Sequence, residues 1–184
     1  MQTRIVTRLD EFPRAQWNAL LPDNNPFIRH EFLAALEHGD CLLPYGWTPQ
    51  HVGVWDGERL LAAMPMYLKN NTYGEFVFDF SWAQAYERHG LRYFPKLVVS
   101  VPYSPATGTR LLVSDPIYIK TLLEAAQNHA RQINASSLHI LFPTEAEMCQ
   151  LEAEGTLRRA SYQFHWTNHG YRDFADYLST FTAE

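Results

Sequence analysis

Two carboxylates set in an aromatic stretch offer the first chemistry. In Glu75–Trp82 acidic and apolar residues alternate, so a strand here would carry Phe76, Phe78, Phe80 and Trp82 on one face. Glu75, Val77, Asp79 and Ser81 would then share the other face. A carboxylate is a competent general base for an amine nucleophile. Four strand residues span ~13 Å, wider than the ~5–9.5 Å of paired catalytic carboxylates, so Glu75 and Asp79 are candidates singly and not as a dyad. The aromatic row is either a groove for a sugar or peptide or the core face of a central strand. The stretch Val101–Arg110 is a second candidate. Its two prolines, glycine and hydroxyl residues make a stiff loop whose backbone N–H groups, with Arg110, can hold an anion or a carbonyl oxygen. Equally, it can be a tight connection between two antiparallel strands.

Other constellations carry less. His165 and His169 have the i, i+4 spacing of a zinc helix, but Tyr162–Gly170 is rich in strand and turn formers, which parts the rings by ~13 Å. No metal site is expected. His38, Asp40 and Cys41 are neighbours in sequence only, and the two cysteines, Cys41 and Cys149, read as small apolar residues. Neither a nucleophile elbow nor a phosphate-binding glycine loop occurs.

The 184 residues suit one domain, and 46% hydrophobic with 14% aromatic content requires a packed core. A net charge of −5, with no basic run longer than Arg158–Arg159, speaks against an extended nucleic-acid surface. The longest stretch without charge, Cys41–Trp55, is broken by Pro44 and Pro49, so no membrane span is expected. The start, Met1–Asp10, lacks an apolar targeting core, and a cytoplasmic location is expected.

The elements that must position these residues follow from periodicity and breakers. A first strand is expected at Arg4–Leu9, a helix after Pro13, and a second helix over Arg29–His38 stopped by Gly39. His51–Trp55 and Arg59–Lys69 around Asp56-Gly57 read as a hairpin, disturbed at Pro65. After the Glu75–Trp82 strand come a short helix at Ala83–His89, a strand at Lys96–Pro102 and another at Thr109–Val113. The strongest helix is Ile117–Ile133, with Asp115 as cap and Pro116 in its first turn. Ser137–Phe142 is a strand, Thr144 and Glu147 form a capping box, and Arg158–Trp166 is a last strand. Asp173 caps a final helix that has no stop signal by Glu184. The order β-α-α-β-β-β-α-β-α-β-α gives an α/β fold with a mixed, largely antiparallel sheet flanked by helices.

Several segments together resemble a known group. The hairpin Asp56–Ala63 is similar to the second and third strands of GNAT acyltransferases. Tyr73–Asp79, Trp82–Arg88, Tyr93–Leu97, Pro102–Pro105 with Gly108, and Arg110–Leu112 resemble the FemAB-like group of bacterial GNAT proteins labelled peptidoglycan biosynthesis/recognition. The resemblance implies a GNAT-like lobe over residues 1–184, the N-terminal half of a longer two-lobed protein whose helix 173–184 is cut short. It implies transfer of an acyl or aminoacyl group to an amine, this lobe supplying the acceptor groove. The candidates for that groove are Glu75 and Asp79 for catalysis, and Trp82, Tyr86, Lys96, Tyr103, Thr107, Gly108 and Arg110 for binding. The donor would be acetyl-CoA or aminoacyl-tRNA, and the acceptor a small molecule, peptide or glycan. GNAT enzymes hold the coenzyme diphosphate on a glycine loop opening the central helix. Here Leu112–Pro116 has no glycine and places Asp115 where a phosphate would sit, so no cofactor is expected in this lobe. A non-catalytic peptide- or glycan-binding lobe and a purely structural lobe are the alternatives.

Overall fold

A computed structural model describes residues 1–160 and 162–181. Strand β1 (Gln2–Val6) leads through a 3-10 turn to α1 (Arg14–Ala19), then α2 (His30–His38). Pro13 opens α1, where its missing N–H costs nothing, and Gly39 closes α2. The chain continues as β2 (Trp47–Pro49), β3 (His51–Asp56), β4 (Arg59–Met64) and β5 (Met66–Lys69). Strands β3 and β4 form the expected hairpin, closed at Gly57 with φ +58, a value glycine adopts without cost. Pro65 cannot donate to a ladder, and there the second arm passes from one sheet to another. Helix α3 (Phe80–Arg88), β6 (Lys96–Val99), β7 (Leu112–Val113), α4 (Tyr118–Gln132), β8 (Leu138–Ile140), α5 (Glu145–Ala153) and α6 (Phe174–Leu178) complete the order.

The fold is mixed α/β. One sheet runs β1-β3-β4-β7, wholly antiparallel; the other runs β2-β5-β6-β8, with β6 and β8 parallel. Val52, Val54, Ala62 and Met64 point to the stripe Ile119, Leu122, Leu123 and Ala126 of α4. On the other face Trp55, Leu60 and Ala63 meet Leu9, Phe12, Trp17 and Leu33 of the N-terminal helices and turns. Gly53 permits this second layer, because a Cβ there would sit 2.1 Å from the Trp55 ring. Among the described residues no helix is long and apolar enough to cross a membrane.

Six expected elements need correction. Glu75–Trp82 is no strand: Gly74 (φ +77) and Phe76 (φ +57) turn the chain, and Phe80 already opens α3. The first strand lies at Gln2–Val6, and the strands expected at Lys96–Pro102 and Thr109–Val113 shrink to Lys96–Val99 and Leu112–Val113. The described residues of Arg158–Trp166 pair with no strand, although Tyr162, Phe164 and Trp166 alternate; Ser161 lies outside the described residues. The last helix, capped by Asp173 as expected, spans only Phe174–Leu178, and positions 182–184 of its expected range lie outside the described residues.

Candidate functional site

The Lys69–Lys96 region inverts the usual order of a fold. Lys69, Glu75, Asp79 and Lys96 are buried, while Phe76, Phe78, Phe80 and Trp82 are about half to three-quarters exposed. The Lys96 Nζ donates to Glu75 Oε2 at 2.8 Å and Asp79 Oδ2 at 2.7 Å. The Tyr93 hydroxyl donates to the same Asp79 oxygen. The expected separation of the two carboxylates is therefore wrong: a turned backbone brings both onto one ammonium. The buried ions prevail over the aromatic row because an unpaired buried charge costs several kcal/mol, while a ring on the surface forgoes about 1.5–3 kcal/mol of burial. Asp79 begins α3 but spends its side chain on Lys96 and not on the helix amides.

Electrostatics separates the two acids. Burial raises the Glu75 pKa beyond what its Lys96 partner restores. Burial also pushes Asp79 upward, but the hydrogen bonds from Lys96 and Tyr93 outweigh it and the net direction is down. Each carboxylate keeps one oxygen, Glu75 Oε1 and Asp79 Oδ1, without a partner among the described residues. Neighbouring His139 is held near pKa 4, chiefly by burial and then by the Lys96 charge.

The binding candidates divide. Trp82 and Tyr86 lie on α3: Trp82 is exposed under the Arg159 guanidinium, 5.8 Å from its ring centre, and Tyr86 stacks edge-on to Tyr93 at 5.2 Å. Lys96 belongs to the ion cluster. Tyr103 packs at 5.9 Å from Trp47, directs its hydroxyl to the Cys41 carbonyl, and covers Gly74, where a Cβ would lie 2.7 Å from its ring. Thr107 is exposed. Gly108 and Arg110 do not form the expected anion loop. The Gly108 N–H goes to Phe142 O at 3.1 Å. The buried Arg110 guanidinium bonds the carbonyls of Leu141, Gly108, Thr109 and Ala106 at 2.7–3.1 Å. Glu147 accepts the Arg110 and Leu111 amides, so this region is a closed clamp between a loop and α5.

Sequence reasoning missed Lys69, Tyr93 and His139. Lys69 Nζ donates to Tyr73 O at 3.0 Å and Tyr45 O at 3.3 Å and lies 3.9 Å over the Trp47 ring. Burial lowers its pKa to about 8. One signal was available: only three lysines occur, and Lys69 and Lys96 border apolar strands. No group of three metal-binding side chains occurs among the described residues. At the start of α4 the Ile117 amide is taken by Asp115 Oδ1 at 2.9 Å, and the Tyr118 and Ile119 amides by Asp115 O and Pro116 O at 3.1 Å. A coenzyme diphosphate needs free amides at this end, and these residues do not fit one.

Compared with known proteins, residues 8–184 match the FemAB-like family, described as peptidoglycan biosynthesis/recognition. None of the curated proteins matches the chain. Among solved structures, an aminoglycoside antibiotic 6'-N-acetyltransferase of Acinetobacter haemolyticus superposes with TM-score 0.51 at 11% identity, over 91% of this chain and 99% of that one. A ribosomal-protein-alanine N-acetyltransferase of Brucella melitensis biovar Abortus 2308 gives 0.49 at 13% identity, over 91% and 99%. The likeness to the Acinetobacter haemolyticus enzyme is one of fold, that of GNAT acetyltransferases.

Proposed function

The chain belongs to the FemAB-like family, and from that premise we propose that it is the acceptor-recognising lobe of an enzyme that moves an acyl or aminoacyl group onto an amine. The observation that carries this reading is the inversion around Lys96, in which four buried ionic side chains hold an aromatic segment outward. A fold gains nothing in stability by exposing Phe76, Phe78, Phe80 and Trp82, so the segment is built to meet a ligand. Its flat rings, with Tyr86 and Tyr103 nearby, suit the apolar faces of a peptide or glycan.

Amine acylation needs a group to take the ammonium proton and donors for the developing oxyanion. Glu75 and Asp79 are too deeply buried to reach reacting atoms, and Gly108 and Arg110 have spent their donors. We therefore assign these four residues to positioning and the chemistry to a second lobe of the same protein. Exposed Leu157, Tyr162, Phe164, Trp166 and Phe174 support a further body against this one. The donor is held there too, since Asp115 and its turn occupy the amides that a diphosphate would use. The reaction runs in the cytoplasm, where both acetyl-CoA and aminoacyl-tRNA are made.

Titrating the protein with a muramyl pentapeptide and following tryptophan fluorescence tests the acceptor reading. A saturable change that disappears in Trp82→Phe is expected; no change, or one that survives the substitution, would overturn it. Calorimetry with acetyl-CoA on this chain is expected to show no binding, and a micromolar dissociation constant would defeat the assignment of the donor to the second lobe.

A further inference from the structure

A cavity of about 370 Å³ is lined by the end of α2, the Leu42–Leu43 turn and β2. Its apolar walls are Leu42, Leu43 and Pro49, and Glu37 also lines it. That side chain is only 9% exposed. It is fixed from behind: Leu9 N–H donates to Oε2 at 2.9 Å, and the His51 ring lies 2.9 Å from Oε1.

The charge on Glu37 has no cationic partner. His51 Nδ1 receives the Met66 amide at 3.2 Å and so carries no proton; the ring proton is on Nε2, which donates to Glu37. An imidazole with one proton is neutral. Arg8 and His38 also line the cavity, but both are already engaged with Asp10, Arg8 at 2.9 Å and His38 at 2.8 Å. Asp40 adds a further negative charge to the lining. Behind His51, Tyr67 is wholly buried with its hydroxyl unpartnered, and burial and then the Glu37 charge push its pKa up. A buried carboxylate costs several kcal/mol unless a cation answers it, and each Glu37 oxygen, with one hydrogen bond made, can accept another.

We infer that this cavity binds a small organic cation, a primary ammonium on a short aliphatic body, with its N–H groups on Glu37 and its carbon chain against Leu42, Leu43 and Pro49. The cavity volume lies in the range of small-molecule sites. A neutral isostere would leave the Glu37 charge unanswered, and an anion would be repelled. The site is independent of the acceptor reading given above, since none of its residues belongs to the Lys96 cluster.

The probe is n-butylammonium chloride, with butan-1-ol and sodium butyrate as isosteric controls, followed through the amide shifts of Glu37, Leu42, Leu43 and Thr48. A charge-assisted hydrogen bond is worth about 1.5–3 kcal/mol, so the amine is expected to bind at least about tenfold more tightly than the alcohol. Butyrate is expected to give no shift. Glu37→Gln should bring the amine down to the level of the alcohol. If that variant fails to fold because its amide faces the Leu9 N–H, Leu43→Trp decides. Leu43 is 63% exposed, so a bulkier ring fills the cavity mouth without entering the core, and it should abolish the shifts. Equal binding of amine and alcohol, amine binding that survives Leu43→Trp, or no shift at tens of millimolar amine would each overturn the inference.

Discussion

The sheet packed on α4 and the Lys69–Lys96 region are built by opposite rules. Around α4 every inward position is apolar, from Val52 and Val54 to Leu122 and Ala126. Around Lys96 the inward positions are ionic and the aromatic rings face water. An apolar layer is non-directional and tolerates small shifts, whereas an ammonium shared by two carboxylates fixes the backbone that carries them. The first rule makes a fold; the second holds a segment in one conformation while its rings stay available.

The largest effect expected is at the ion cluster. Lys96→Met strands two buried carboxylates and should destabilise the protein by about 3–5 kcal/mol in urea denaturation. Adding Glu75→Gln and Asp79→Asn should recover much of that loss; no recovery would mean that packing and not charge holds the segment. Leu122→Ala in the apolar layer should cost about 2–5 kcal/mol, with no recovery from any polar change elsewhere.

A smaller effect is a slope in pH. Lys69 has a folded pKa of about 8 against an ordinary 10.5, so between pH 8 and 10 the unfolded chain holds a proton that the folded one has lost. Stability should therefore rise with pH across that window. Near pH 10 the buried Tyr67 and Tyr93, both pushed above their ordinary value, reverse the slope. Lys69→Met should flatten the rise; a rise of equal steepness in that variant would remove Lys69 as its source. The smallest effect belongs to Phe78→Ser. Its ring is 76% exposed, so stability should change by no more than about 0.5 kcal/mol while muramyl pentapeptide binding is lost. A large stability loss would place the ring in the core after all.

The two regions also differ in how far sequence discloses them. The hairpin at Asp56-Gly57, the stripe of α4 and the Thr144–Glu147 capping box are local patterns, and each forms where its pattern lies. Alternation at Glu75–Trp82 is a pattern too, but it says only which residues part company, not which face goes inside. The deciding partner, Lys96, is seventeen residues beyond Asp79, and long-range pairing of charges leaves no periodicity. Arg110 misleads for the same reason: its donors are claimed by carbonyls that include Leu141 O, beyond β7, α4 and β8. Aromatic alternation at Tyr162–Trp166 predicts a strand, yet a strand also needs a partner, and the described residues of this segment join neither sheet.

Amide hydrogen exchange on wild type and Lys96→Met tests most directly whether charge pins the aromatic segment. Faster exchange confined to residues 73–96, with α4 and the β3–β4 hairpin still protected, is the predicted result. Uniform loss of protection along the chain, or none at all, would contradict it.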